Sequence, residues 1–108
     1  MDLDALKVEI AANRAMTTLH AQQRRNQRVI PWDEIRASIV RGCELVESTD
    51  GGTKALLLSR MHDKRPLHTV WVWRVSSQPP MLITCYQPDE SAYRTMWTDG
   101  YRRRSLHP

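Results

Sequence analysis

His20, Arg24 and Arg28 recur at every fourth position inside a stretch, residues 1–28, that holds no Pro and no Gly. On a helix, side chains at that spacing leave from one face, each about 6 Å from the next. Two guanidiniums beside an imidazole suit a phosphodiester: the guanidiniums fork onto the nonbridging oxygens, and the imidazole gives or takes a proton. The same row also reads as an ordinary solvated helix face, and spacing alone does not separate the two.

A second set lies further along. His68 sits in the apolar run Pro66-Leu67-His68-Thr69-Val70-Trp71-Val72-Trp73. Strand alternation puts it on the face of Val70, Val72 and Arg74, with Leu67, Thr69, Trp71 and Trp73 opposite. In Met81–Tyr86 the same alternation groups Leu82, Thr84 and Tyr86 against Met81, Ile83 and Cys85. If the two runs are neighbours, an imidazole and two hydroxyls share one side of a sheet, either as hydrogen-bonded, half-buried residues or as the lining of a site.

The elements that must position these groups follow from period and punctuation. Residues 1–28 are expected to be helical, with an interruption near Thr17–Thr18; Leu3, Leu6 and Ile10 stand at helical spacing. Pro31 followed by Trp32, Asp33 and Glu34 marks the start of another helix. Arg41-Gly42 marks its end. Beyond Gly42 the apolar period changes from about 3.6 to 2. Four strands are expected, Cys43–Ser48, Thr53–Arg60, Leu67–Arg74 and Met81–Tyr86, the first two joined through Thr49-Asp50-Gly51-Gly52. Connections this short imply an antiparallel meander, so the expected fold is α+β, two or three N-terminal helices packed on one face of a four-stranded antiparallel sheet.

Composition bounds the rest. The 108 residues suffice for one domain, 1–108, whose 41% hydrophobic and 26% charged content is that of a folding chain. Phe is absent, and four Trp and three Tyr must supply much of the core volume. The net charge is +4, and 13 of the 16 cations are Arg. The positive charge gathers in residues 14–41, in Arg60 to Arg74 and in Arg102–Arg104. That pattern suits an acidic partner, and Arg25, Lys64, Arg65, Arg102, Arg103 and Arg104, with Trp97 as an exposed stacking aromatic, form the candidate nucleic-acid contacts. Cys43 and Cys85 lie in apolar stretches without metal or redox spacing, so both are expected to be buried thiols. No Gly-rich phosphate loop, HExxH or GxSxG motif occurs, and no metal or cofactor is expected. The N-terminus has no secretory pattern and no segment is long and apolar enough to span a bilayer, so the expected location is the cytoplasm, away from membranes.

From His20 to Asp89 the chain resembles a family of small prokaryotic domains of unknown function in the RelE-like superfamily, near the BrnT toxins. The residues that carry the resemblance are His20-Ala21, Arg24, Arg28, Ile30, Asp33, Glu34, Ile39 and Gly42, then Arg65-Pro66-Leu67-His68, and finally Ile83-Thr84-Cys85-Tyr86-Gln87-Pro88-Asp89. Two positions depart from it, with Gln23 where relatives carry an acid and Val29 where they carry Gly. The N-terminal extension 1–19 and the basic tail 90–108 fall outside it.

The resemblance implies a RelE/BrnT-like fold and, by analogy, a toxin–antitoxin role. It singles out His20, Arg24, Arg28, His68, Thr84 and Tyr86, which would serve a metal-independent endoribonuclease if they meet: one His as base for the 2′-hydroxyl, the other as acid for the leaving oxygen, the arginines on the phosphate, Thr84 or Tyr86 orienting it. RNA, free or on the ribosome, an antitoxin and a second copy of the chain are the partners so implied. The alternative is a non-catalytic RelE-like module that binds nucleic acid or a protein through its Arg-rich face.

Overall fold

The computed structural model describes residues 1–88; Asp89, Trp97 and Arg102–Arg104 lie outside the described residues. Within them the order is α1 (Leu3–Ala11), β1 (Met16–Thr17), α2 (Leu19–Arg28), α3 (Trp32–Arg41), β2 (Cys43–Thr49), a single 3-10 turn (Asp50–Gly52), β3 (Lys54–Arg60), β4 (Pro66–Val72) and β5 (Met81–Tyr86). The α+β class is as expected, but the sheet has five strands in the order β1-β5-β4-β3-β2.

The extra strand corrects the four-stranded, all-antiparallel reading. β1 pairs in parallel with β5, Met16 opposite Met81 and Thr17 opposite Leu82, and makes the sheet mixed. Two residues are too short to show alternation, which is why the pattern of residues 1–28 concealed them. The break needs neither Pro nor Gly: Asn13 takes a left-handed φ of 63°, and the hydroxyl of Thr18 accepts from the Ala21 amide to start α2. Asp2 caps α1 in the same way, through the Ala5 amide.

All three helices contribute to a core on one sheet face. Leu6 and Ile10 of α1, Ala21 of α2, and Ile35 and Ile39 of α3 pack with Leu57, Leu67, Trp71, Leu82 and Cys85. Trp71 is fully buried, donates its indole N–H to Thr69 Oγ1 at 2.9 Å, and meets Trp32 edge-on with centroids 6.2 Å apart. Alternation places Leu56 and Val70 on the opposite face, where Val46 and Ile83 pack against them.

One local departure matters for the site. The β4–β5 register slips between Val70 and Trp71, so Leu82 joins the helix-side core and does not share a face with Thr84 and Tyr86. Alternation from sequence assumed an unbroken strand, and a bulge moves every residue beyond it to the other side. At the end of α3, Gly42 takes φ 156° and ψ 136°, a positive φ that suits glycine, and the helix stops there as expected.

Candidate functional site

α2 is the most basic element and bears no acid: its ten residues include Arg24, Arg25, Arg28 and His20. Ala21 is the residue it buries, and the helix runs beside β5. His20 is exposed, and Arg24 Nε approaches its Nε2 at 3.4 Å while Arg24 Nη1 donates to Gln27 at 3.0 Å. Arg28 turns to the sheet and donates through Nη1 to the Cys85 carbonyl at 2.7 Å. The row expected from spacing therefore divides. His20 and Arg24 form one exposed pair, and Arg28 is a tie between helix and strand.

None of these three guanidiniums meets a carboxylate among the described residues, where the ion pairs are Arg14 with Glu9, His62 with Glu34 and Arg65 with Asp63. Arg24 bonds two neutral groups, Arg28 a carbonyl, and Arg25 Nε is buried without a hydrogen-bond partner among the described residues. Arg65 differs, since Asp63 Oδ2 lies 2.6 Å from its Nε and offsets its charge. The exposed Lys64 occupies the turn before β4, where its φ is 71°.

On the strands, His68 and Tyr86 are register partners, with His68 Nδ1 3.2 Å from the Tyr86 hydroxyl and the rings edge-on. Thr84 lies opposite Val70 and so on the same face. This grouping is the one drawn from alternation, Leu82 excepted. His68, however, is only 2% exposed, so its imidazole is enclosed while that of His20 faces water.

Both cysteines are free thiols, and burial pushes each one's pKa up, against a lowering pull from Arg28 and Arg25 at Cys85 and from Lys7 at Cys43. One interaction had no sequence signal. Glu34 Oε1 accepts from both the His62 amide at 2.8 Å and its Nδ1 at 2.6 Å, fastening α3 to the β3–β4 connection, and these bonds hold the carboxyl below the usual glutamate range. His62 sits in a polar turn, and nothing in its neighbours along the chain points 28 residues back.

Among the described residues no group of three His, Cys, Asp or Glu side chains is placed to hold a metal ion. No helix there is long and apolar enough to cross a membrane.

Residues 17–87 match the model of a family described as a domain of unknown function, DUF4258. The chain belongs to that family. The matched span begins inside β1 and ends just past β5, so it takes in α2, α3 and the strands that carry His68, Thr84 and Tyr86. No curated protein matches the chain, and no solved structure does.

Proposed function

We propose that this domain binds RNA through the phosphate backbone, using the α2 surface built from His20, Arg24 and Arg25, in a RelE-like, toxin-like setting. The observation that carries the reading is the unneutralised charge of α2: three guanidiniums on ten residues, none of them ion-paired among the described residues. Arg14 and Arg65 are offset by acidic partners, whereas Arg41, like Arg28, donates to a backbone carbonyl, so what sets α2 apart is that it gathers three arginines and no acid on ten residues. Leaving cations unpaired on one helix costs self-repulsion, which a polyanion relieves while releasing its own counterions. On this reading the location is cytoplasmic, and an antitoxin or a second copy of the chain are the protein partners.

The test is titration of a labelled single-stranded RNA at several salt concentrations. Affinity should fall steeply as salt rises, and Arg24→Ala should flatten that dependence. Salt-independent binding, or none, overturns the reading.

The second reading, metal-independent RNA cleavage, is favoured by the exposed His20 beside Arg24 and by the His68–Tyr86 pair. His20 would take the 2′-hydroxyl proton, the 2′-oxygen would attack phosphorus, and the bond to the 5′-oxygen would break as an acid protonates it, leaving a 2′,3′-cyclic phosphate. His68 can be that acid only where RNA reaches it, and its enclosure places this reading second. Cleavage in the presence of chelator that vanishes in folded His20→Ala and His68→Ala variants would raise it to first.

A further inference from the structure

The two faces of the sheet are closed by different means. α1, α2 and α3 pack on one face, to which the connections add Met61 and Trp73. On the other face Leu56 is 0%, His68 2%, Val70 3% and Leu58 5% exposed. The register sets these residues side by side in two rows, Glu44–Leu58–His68–Tyr86 and Glu47–Leu56–Val70–Thr84. Strand side chains stand perpendicular to the sheet, so neighbours in a row shield one another's flanks, and only a further layer shields their tips. Among the described residues the apolar side chains packed on Leu56 and Val70 are Val46 and Ile83, which belong to the same sheet. The tips are therefore shielded by something else, and the shielding exists within a single chain.

We propose that the chain's own residues 89–108 fold back over this second face as its covering layer. The chain leaves β5 at Tyr86, itself part of the face, with twenty residues still to come. From β5 across β4 and β3 to β2 is about 15 Å at the usual strand spacing, a distance that about five extended residues cross. Tyr93, Met96, Trp97 and Tyr101 recur at helical spacing and offer an apolar stripe to lay on Leu56, Leu58 and Val70. The far strand β2 turns Glu44 and Glu47 to the same face, and Glu47 Oε2 is buried. A buried carboxylate calls for a cation, and Arg102–Arg104 follow the stripe.

Trp97 then serves as packing rather than as a stacking platform. The enclosure of His68 comes from the chain's own end, and the His68–Tyr86 pair meets solvent when that end lifts. The inference stands whether or not α2 binds RNA.

The full chain, with its Leu and Val methyls labelled, decides this through nuclear Overhauser contacts. Methyls of Leu56, Leu58 and Val70 should show contacts to aromatic protons of Tyr93, Trp97 or Tyr101. In a mixture of labelled and unlabelled chains those contacts should prove to lie within one molecule. Trp97→Asp, also in the full chain, should loosen the cover, so that His68 reacts several-fold faster with diethyl pyrocarbonate. The exposed His20 should keep its rate, and the helix-side methyls of Leu57 and Leu67 their shifts, which shows that the fold stands. Contacts between molecules would give the face to a second copy and overturn the inference. So would an absence of contacts, or a His68 rate that the substitution leaves unchanged.

Discussion

The Tyr86 hydroxyl stands 3.2 Å from Nδ1 of His68 across the β4–β5 register, and the two rings meet edge-on at 81° with centroids 5.2 Å apart. A hydrogen bond and an aromatic contact thus join the same two residues. Tyr86→Phe keeps the ring contact and removes the hydrogen bond, so it should cost about 1 kcal/mol in chemical denaturation. RNA affinity should be unchanged if the pair only holds strand to strand. If His68 acts on RNA, the same variant should shift the pH profile of cleavage.

Arg24 and Arg28, one helical turn apart, should respond oppositely to truncation. Arg28→Ala removes a charged donor from the Cys85 carbonyl and should cost about 1–2 kcal/mol of stability. Arg24→Ala loses bonds to His20 and Gln27 on an exposed face and should cost under about 0.5 kcal/mol. The slope of log affinity against log salt should drop by about 1 for Arg24→Ala. Denaturation curves and RNA titrations of both variants check the pair of outcomes.

The division of that row shows where sequence reasoning reached and where it stopped. Helical spacing identified His20, Arg24 and Arg28 as one face, because a 3.6-residue period is a local property. It could not tell that Arg28 would be spent on a strand 57 residues away. The pairing of His68 with Tyr86 was legible, because strand alternation and a short connection suffice to oppose them. The placement of Leu82 was not, since a bulge leaves no mark in the alternation of the strand that carries it. β1 escaped for a related reason: a two-residue strand exists only by virtue of its partner, and β5 lies at the far end of the described chain.

Glu34 sets an acid limit. Its donors from His62 hold its folded-state pKa below the ordinary glutamate value, so the carboxylate stabilises the fold above that value, and the contribution is lost as pH falls through the lowered one. Glu34→Gln should therefore be less stable than wild type at pH 7, by about 1 kcal/mol, and the gap should close as pH falls from there through the lowered pKa. Thermal melts of both proteins across that range decide it, and a gap that persists in acid would mean the carboxylate's charge is not what matters.

The buried hydroxyls of Ser38 and Ser59 lie 2.9 Å apart, and Ser38 also donates to the Ile35 carbonyl at 2.8 Å. Ser38 has a single proton, so Ser59 is the donor between them. Ser38→Ala then strands a buried donor and should cost about 1–3 kcal/mol, whereas Ser59→Ala removes a donor whose acceptor keeps its other bond and should cost less. The double variant should be no worse than Ser38→Ala alone, which a double-mutant cycle in urea would measure.

The parallel joint between Met16–Thr17 and Met81–Leu82 means that, among the described residues, the sheet is completed by the first and last strands in chain order. Until β5 emerges, β1 has nothing to zip onto, and the long loop between them must close before either gains from the other. Nascent chains therefore carry an unprotected β4 flank during synthesis, the stage at which edge-to-edge association is most dangerous. A shortened product lacking its opening eighteen residues would keep a β5 rim bare for good, prone to sticking to copies of itself.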